Sequence, residues 1–233
     1  MALVALAWLA TAACSKEATG FPPGVDPWDD PASSPSGEWP AWPSTPGTAA
    51  LTTVTGATPS TGSTPSYYWA HGRVLVAAPI ADVWSALQWQ SGVLVALYPD
   101  YPDVNCEPTH RPEPDYELSY GVKESPNKFG GIGLANWFLV DWRGAAARDG
   151  AQAIQKVNVK AQKVDGTTHV ALMRQSVVAT PGAGGATRLE IVRHINADGE
   201  SEATARDWVR LWVNALQAQL DGAPLVPAGH CFP

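Results

Sequence analysis

From Tyr67 onwards the apolar positions follow two periods, and each change of period marks a new element. Trp69-Ala-His-Gly-Arg-Val-Leu-Val-Ala77 contains an alternating stretch that predicts a strand, stopped at Ala78-Pro79. Proline suits the first turn of a helix, and Ile80, Val83, Trp84 and Leu87 then recur on one helical face of residues 80–89. The Pro-rich stretch from Pro99 to Pro114 reads as loop. Residues 115–122 alternate strictly, with Tyr116, Leu118, Tyr120 and Val122 on one side. Gly130-Gly-Ile-Gly133 leads into a further run over 136–142. Runs over 154–164 and 168–180 are joined by Asp165-Gly166, a good hairpin turn, and Pro181-Gly-Ala-Gly-Gly185 makes a looser turn before 187–195. Neighbouring runs on tight turns predict an antiparallel meander. After the break at Asp198-Gly199, Ser201 can cap a helix, with Glu202 favourable in its first turn. Ala205, Trp208, Val209, Trp212, Val213, Leu216 and Leu220 share one broad face, and Asp221-Gly222 ends the helix. At about 19 residues it is about 28 Å long, enough to cross a whole sheet.

The stretch ahead of Tyr67 has no such period. Residues 15–66 hold Pro22, Pro23, Pro27, Pro31, Pro35, Pro40, Pro43, Pro46, Pro59 and Pro65, interleaved with Ser, Thr and Gly. Lys16 is the one basic residue there, against Glu17, Asp26, Asp29, Asp30 and Glu38. This composition offers little apolar surface to offset the entropy of ordering, so residues 14–66 read as a disordered tether. Trp28, Trp39 and Trp42 read as aromatics scattered in that arm; packing on the domain, or contact with a partner or membrane, are the alternatives.

Residues 1–13 are uncharged, and too short to span a bilayer, which takes about 20 residues. They match the apolar region of a secretory signal. With Thr11-Ala12-Ala13 directly before Cys14, the segment resembles a bacterial lipoprotein signal. The resemblance implies a lipidated Cys14, a membrane anchor and a place in the bacterial cell envelope, facing the periplasm or the cell exterior. Such a compartment is oxidising, so Cys106 and Cys231 form a candidate disulfide, with two separate thiols as the alternative. The bridge would hold the tail, residues 223–233, against the loop around Asn105.

Whole-chain composition narrows the function classes. Of 233 residues 16% are charged, and the net charge is −7. No basic footprint of a nucleic-acid binder is present, nor a run of 18 apolar residues.

The order strand, then Ala78-Pro79-Ile80-Ala81-Asp82-Val83-Trp84, then a meander and a long terminal helix, resembles the START-like, or Bet v 1-like (SRPBCC), helix-grip superfamily. The resemblance covers roughly residues 69 to 221. It implies an α+β domain over 67–222, with a curved antiparallel sheet of six to seven strands wrapped around the C-terminal helix. It also implies a cavity between sheet and helix for an apolar small molecule or lipid. Tyr116, Tyr120, Trp137, Trp208 and Trp212 lie on the elements that would face that cavity, and are its candidate lining. A non-catalytic binding or carrier domain is the leading reading. A cyclase/aromatase-like enzyme on the same fold, or a structural envelope module with a filled core, are the alternatives.

Catalytic signatures are scarce. There is no His-Glu-x-x-His, Gly-x-Ser-x-Gly or P-loop, and neither a metal set nor a cofactor is expected. His169 and His194 fall on predicted strands and read as an exposed cross-strand pair, with a metal or acid/base site as the alternative. Arg174 and Arg193 sit among apolar strand residues and read as outward or rim positions. If either pointed inwards it would need a buried partner.

Overall fold

The computed structural model describes residues 38–88, 105–108, 116–123, 138–149, 153–166 and 168–222; in 105–108, 116–123 and 138–149 it describes the backbone, with the Ala146 side chain in addition. Eight strands form one sheet: β1 Thr52–Thr58, β2 Tyr67–Val76, β3 Asn105–Pro108, β4 Tyr116–Lys123, β5 Phe138–Asp149, β6 Ala153–Gly166, β7 Val170–Pro181 and β8 Thr187–Ala197. Helix α1 spans Ile80–Gln88 and helix α2 spans Glu202–Leu220. The sheet order is β1-β2-β8-β7-β6-β5-β4-β3, antiparallel throughout. After β2 the chain crosses through α1 to the far edge at β3. It then returns as a meander until β8 lies beside β2. The architecture is α+β, with an antiparallel sheet and a long C-terminal helix, as the element order implies.

Two expectations are corrected here. The sheet has eight strands rather than six to seven. The additional strand, β1, lies inside the stretch read as disordered tether, so within 14–66 the described residues 38–66 belong to the folded domain. All seven β1 residues pair with β2, from Thr52 with Arg73 to Thr58 with Tyr67. Proline density hid a β-branched run, Thr52-Thr-Val-Thr55, of the kind that fits a pleated surface. Residues 1–37, which include the segment expected to be a signal, Cys14 and Trp28, lie outside the described residues, as does the tail from 223.

Helix α2 begins where its cap predicts. The Thr204 N–H donates to Ser201 Oγ at 3.2 Å, and the Ser201 N–H donates to Thr204 Oγ1 at 2.7 Å. This reciprocal box satisfies donors that the first helical turn leaves open. The helix stops at Asp221 before Gly222, whose φ of 76° suits glycine. For α1, the Pro79 carbonyl accepts from Asp82 N and Val83 N, and Val83, Trp84 and Leu87 are buried as their spacing predicts.

The core lies between the helices and one face of the sheet. Ala70, Val74 and Val76 of β2 join Leu189 and Ile191 of β8, Val177 and Ala179 of β7, and Val209, Trp212, Val213 and Leu216 of α2. Gly72 lets α2 come close: a Cβ there would stand 2.8 Å from Val209 Cγ1. The opposite face is covered as well. Tyr67, Trp69, His71 and Arg73 alternate with the core set along β2, and residues 38–47 pack over them.

Candidate functional site

The inner face beneath the start of α2 carries polar groups inside an apolar interface. In register, one row crosses the sheet through Thr55, Ala70, Arg193, Gln175, Ala161, Trp142, Tyr120 and Pro108. Ala70 and Ala161 belong to the helix-facing core, so Arg193 and Gln175, cross-strand partners in the same row, face it too. Arg193 is therefore inward, against the outward or rim expectation. It is 5% exposed, and Gln175 is 1% exposed. Both faces of β8 are buried from Ile191 to Ile195, although only the face of Leu189, Ile191 and Ile195, which Arg193 shares, is mainly apolar.

Two interactions define this group. Arg193 NH1 donates to Gln175 Oε1 at 3.0 Å, and the guanidinium lies 4.3 Å from the centre of the Trp208 ring, a cation–π contact. Guanidinium only donates, so the Gln175 oxygen faces it and the Nε2 end is left as a donor. That Nε2 is buried with no hydrogen-bond partner, as are Trp208 Nε1 and Trp212 Nε1. Trp212 follows Trp208 by one helical turn and is 1% exposed, within the core cluster.

Of the sequence-predicted lining, the structure brings Trp208 and Trp212 to the sheet–helix interface, Trp208 partly buried against the core. Tyr120 shares the register row of Arg193 and Gln175 through its pairing with Trp142. Tyr116 pairs with Ala145, and a slip between Glu117 and Tyr120 puts it out of step with Tyr120. Trp137 lies outside the described residues, as does Cys231. Cys106 is on β3, the edge strand, paired in register with Val122. Gln175 had no signal in the sequence beyond its place in a strand. Arg193 had one, a charge in an apolar alternation.

No protein-family model matches the chain. No curated protein is similar to it. Solved structures give matches of low identity. One is the lipid transfer and protein localization domain of human StarD13, at 13% identity over 74% of this chain and 90% of that chain, TM-score 0.42. Another is the Zhui aromatase/cyclase from Streptomyces sp. R1128, at 14% identity over 77% and 99%, TM-score 0.37. A START superfamily protein from Mycobacterium smegmatis matches at 13% identity over 67% and 99%, TM-score 0.37. None of them assigns an activity to this chain.

The outer face holds the second polar group. The His71 ring lies 4.8 Å from Trp39 and 4.6 Å from Trp69, and 5.9 Å from the His194 ring, which stacks on Tyr67 at 4.9 Å. His71 Nδ1 sits 2.8 Å from Glu38 O; a carbonyl only accepts, so this nitrogen carries the proton. Burial lowers the pKa of His71, the Glu38 hydrogen bond opposing it. His194 is pushed down to about 3 by burial, then by His71 and Arg174. Both are neutral at physiological pH and sealed from solvent, so they bind the outer layer together. His169 lies instead in the β6–β7 turn, beside Lys163 and Asp198. Among the described residues, no group of three or more His, Cys, Asp or Glu could hold a metal ion. A groove of about 470 Å³ opens between the start of α1 and the end of α2, beside Pro79, Asp82, Ser85, Gln217 and Asp221. It lies at the other end of α2 from Trp208 and touches none of the candidate lining.

Proposed function

We propose that this domain binds an apolar small molecule or lipid between the sheet and α2, as a carrier without chemistry of its own, and that lipidated Cys14 holds it to a bacterial cell envelope. One observation carries the binding reading: Gln175 Nε2, Trp208 Nε1 and Trp212 Nε1 are buried donors without acceptors in one sheet–helix interface. Folded proteins leave few such groups, because each costs about 1–3 kcal/mol in lost hydration. A ligand with an acceptor oxygen relieves that cost, while apolar side chains receive the rest of it. The binding reading is tested by native mass spectrometry of the full chain, which reads retention of a non-covalent lipid-sized molecule. Anchoring rests on the small residues before Cys14 and the proline-rich chain after it. Cys14→Ser should move the protein from the membrane fraction to the soluble one with the domain still folded. Unchanged sedimentation with membranes would refute the anchor.

A further inference from the structure

We infer that the groove between α1 and α2 is a second binding site, and that it takes a small organic cation, a primary amine on a short apolar body. The inference goes beyond the sheet–helix ligand and does not depend on it.

The groove, of about 470 Å³, has the size of a small-molecule site, for which about 300–1,000 Å³ is usual. Its walls come from two elements: Pro79, Asp82 and Ser85 at the start of α1, and Gln217, Leu220 and Asp221 at the end of α2. Each wall supplies one carboxylate, and no Lys, Arg or His is among the described lining residues. The end of α2 deepens the negative field. A helix C-terminus carries about half a negative charge, which a basic side chain in the last turn commonly meets. Helix α2 has no basic residue there, and its cap position is Asp221. The first turn of α1 would favour an anion instead, but it already carries Asp82 and follows Pro79, which has no N–H to give. Acceptors are in supply for an ammonium group. Gln217 Nε2 donates to Asp221 Oδ1 at 2.8 Å, and Gln217 Oε1 and the Ser85 hydroxyl add acceptor oxygens to the two carboxylates. A metal ion fits less well: among the described residues no group of three or more His, Cys, Asp or Glu could hold one. Pro79 and Leu220 offer apolar surface that a bare ion would leave unused.

The test titrates the full, folded chain with hexylamine and with 1-hexanol at low ionic strength, read by backbone amide NMR shifts. Hexylamine should give saturating shifts in residues 77–86 and 217–221, and bind at least about tenfold more tightly than hexanol, the scale of one charge-assisted pair. Added salt should weaken the amine alone. Asp82 and Asp221 are both exposed, so Asp82→Asn with Asp221→Asn should keep the fold, which the other amide shifts report, and bring the amine-to-alcohol ratio close to one. Equal affinities for amine and alcohol in the original chain would overturn the cation reading, whether or not the variant folds. Shifts confined to other residues, or saturable binding of neither probe, would overturn the groove as the site. A preference unchanged in the folded double variant would overturn the assignment to these two carboxylates. The sheet–helix ligand is read by mass spectrometry, so either site can fail without the other.

Discussion

At the scale of single residues, burial rather than residue type decides what each polar group does. His194 and His71 look like exchangeable protonation sites, yet both are held neutral inside the outer layer. An unfolded histidine takes a proton near pH 6.5, whereas folded His194 resists down to about 3. The unfolded chain therefore binds more protons across that window, and stability is present above pH 6.5 and falls as pH drops through it. His194 alone should cost about 2 kcal/mol between pH 8 and pH 5, with His71 acting in the same direction. Urea titrations at both pH values read the loss, and His194→Gln should flatten it. An equal loss in the variant would contradict the burial of a neutral ring. Little of this was legible beforehand. Alternation put Arg193 on the apolar face of Leu189, Ile191 and Ile195, but β8 is buried from Ile191 to Ile195 on both faces, so the burial of His194 on the other face could not be read from period alone.

At the scale of elements, the helices and the meander were legible because each has a single buried stripe and a clear stop. Ser201 and Asp221-Gly222 bound α2 where the sequence places them, whereas Asp165 and Gly166, expected as the hairpin turn, are the last residues of β6 and pair with Leu139 and Phe138 of β5, so the turn falls after them. The N-terminal layer was not legible, because its packing comes from a few aromatic and backbone contacts in a chain of proline and small residues. Arg73 links it to the sheet: its Nε and NH2 donate to Glu190 Oε1 at 2.9 and 2.6 Å, NH1 donates to the Pro40 carbonyl, and Trp39 and Trp42 lie on the guanidinium. Trp69 crosses Gly56 of β1 so closely that a Cβ there would sit 2.3 Å from its ring. A chain begun at Tyr67 loses β1 and exposes β2 as an apolar edge. Compared with a chain begun at Glu38, it should be at least about 3 kcal/mol less stable, the scale of losing one packed tryptophan, and should self-associate. Equal urea midpoints and a monomer in both would mean that the N-terminal layer adds nothing.

At the scale of the whole molecule, the sheet is a wall with a different layer on each side. Aromatic, histidine and N-terminal residues cover the outer side over β2 and β8, while α1 and α2 pack on the inner side around an apolar core. Among the described residues no helix is long and apolar enough to cross a membrane. The acceptorless donors of Gln175, Trp208 and Trp212 lie at the inner interface. The outline of an antiparallel sheet with a long terminal helix was legible in the order of elements; the polar group inside it was not, because it depends on register between strands distant in sequence. The most direct test of the account is native mass spectrometry of the full chain, isolated under mild conditions from cells of its own source. The account predicts a non-covalent, lipid-sized adduct that collisional activation releases, separate from any acyl mass fixed at Cys14. A protein that flies bare, and stays bare after incubation with a fatty acid and a neutral lipid, would contradict it.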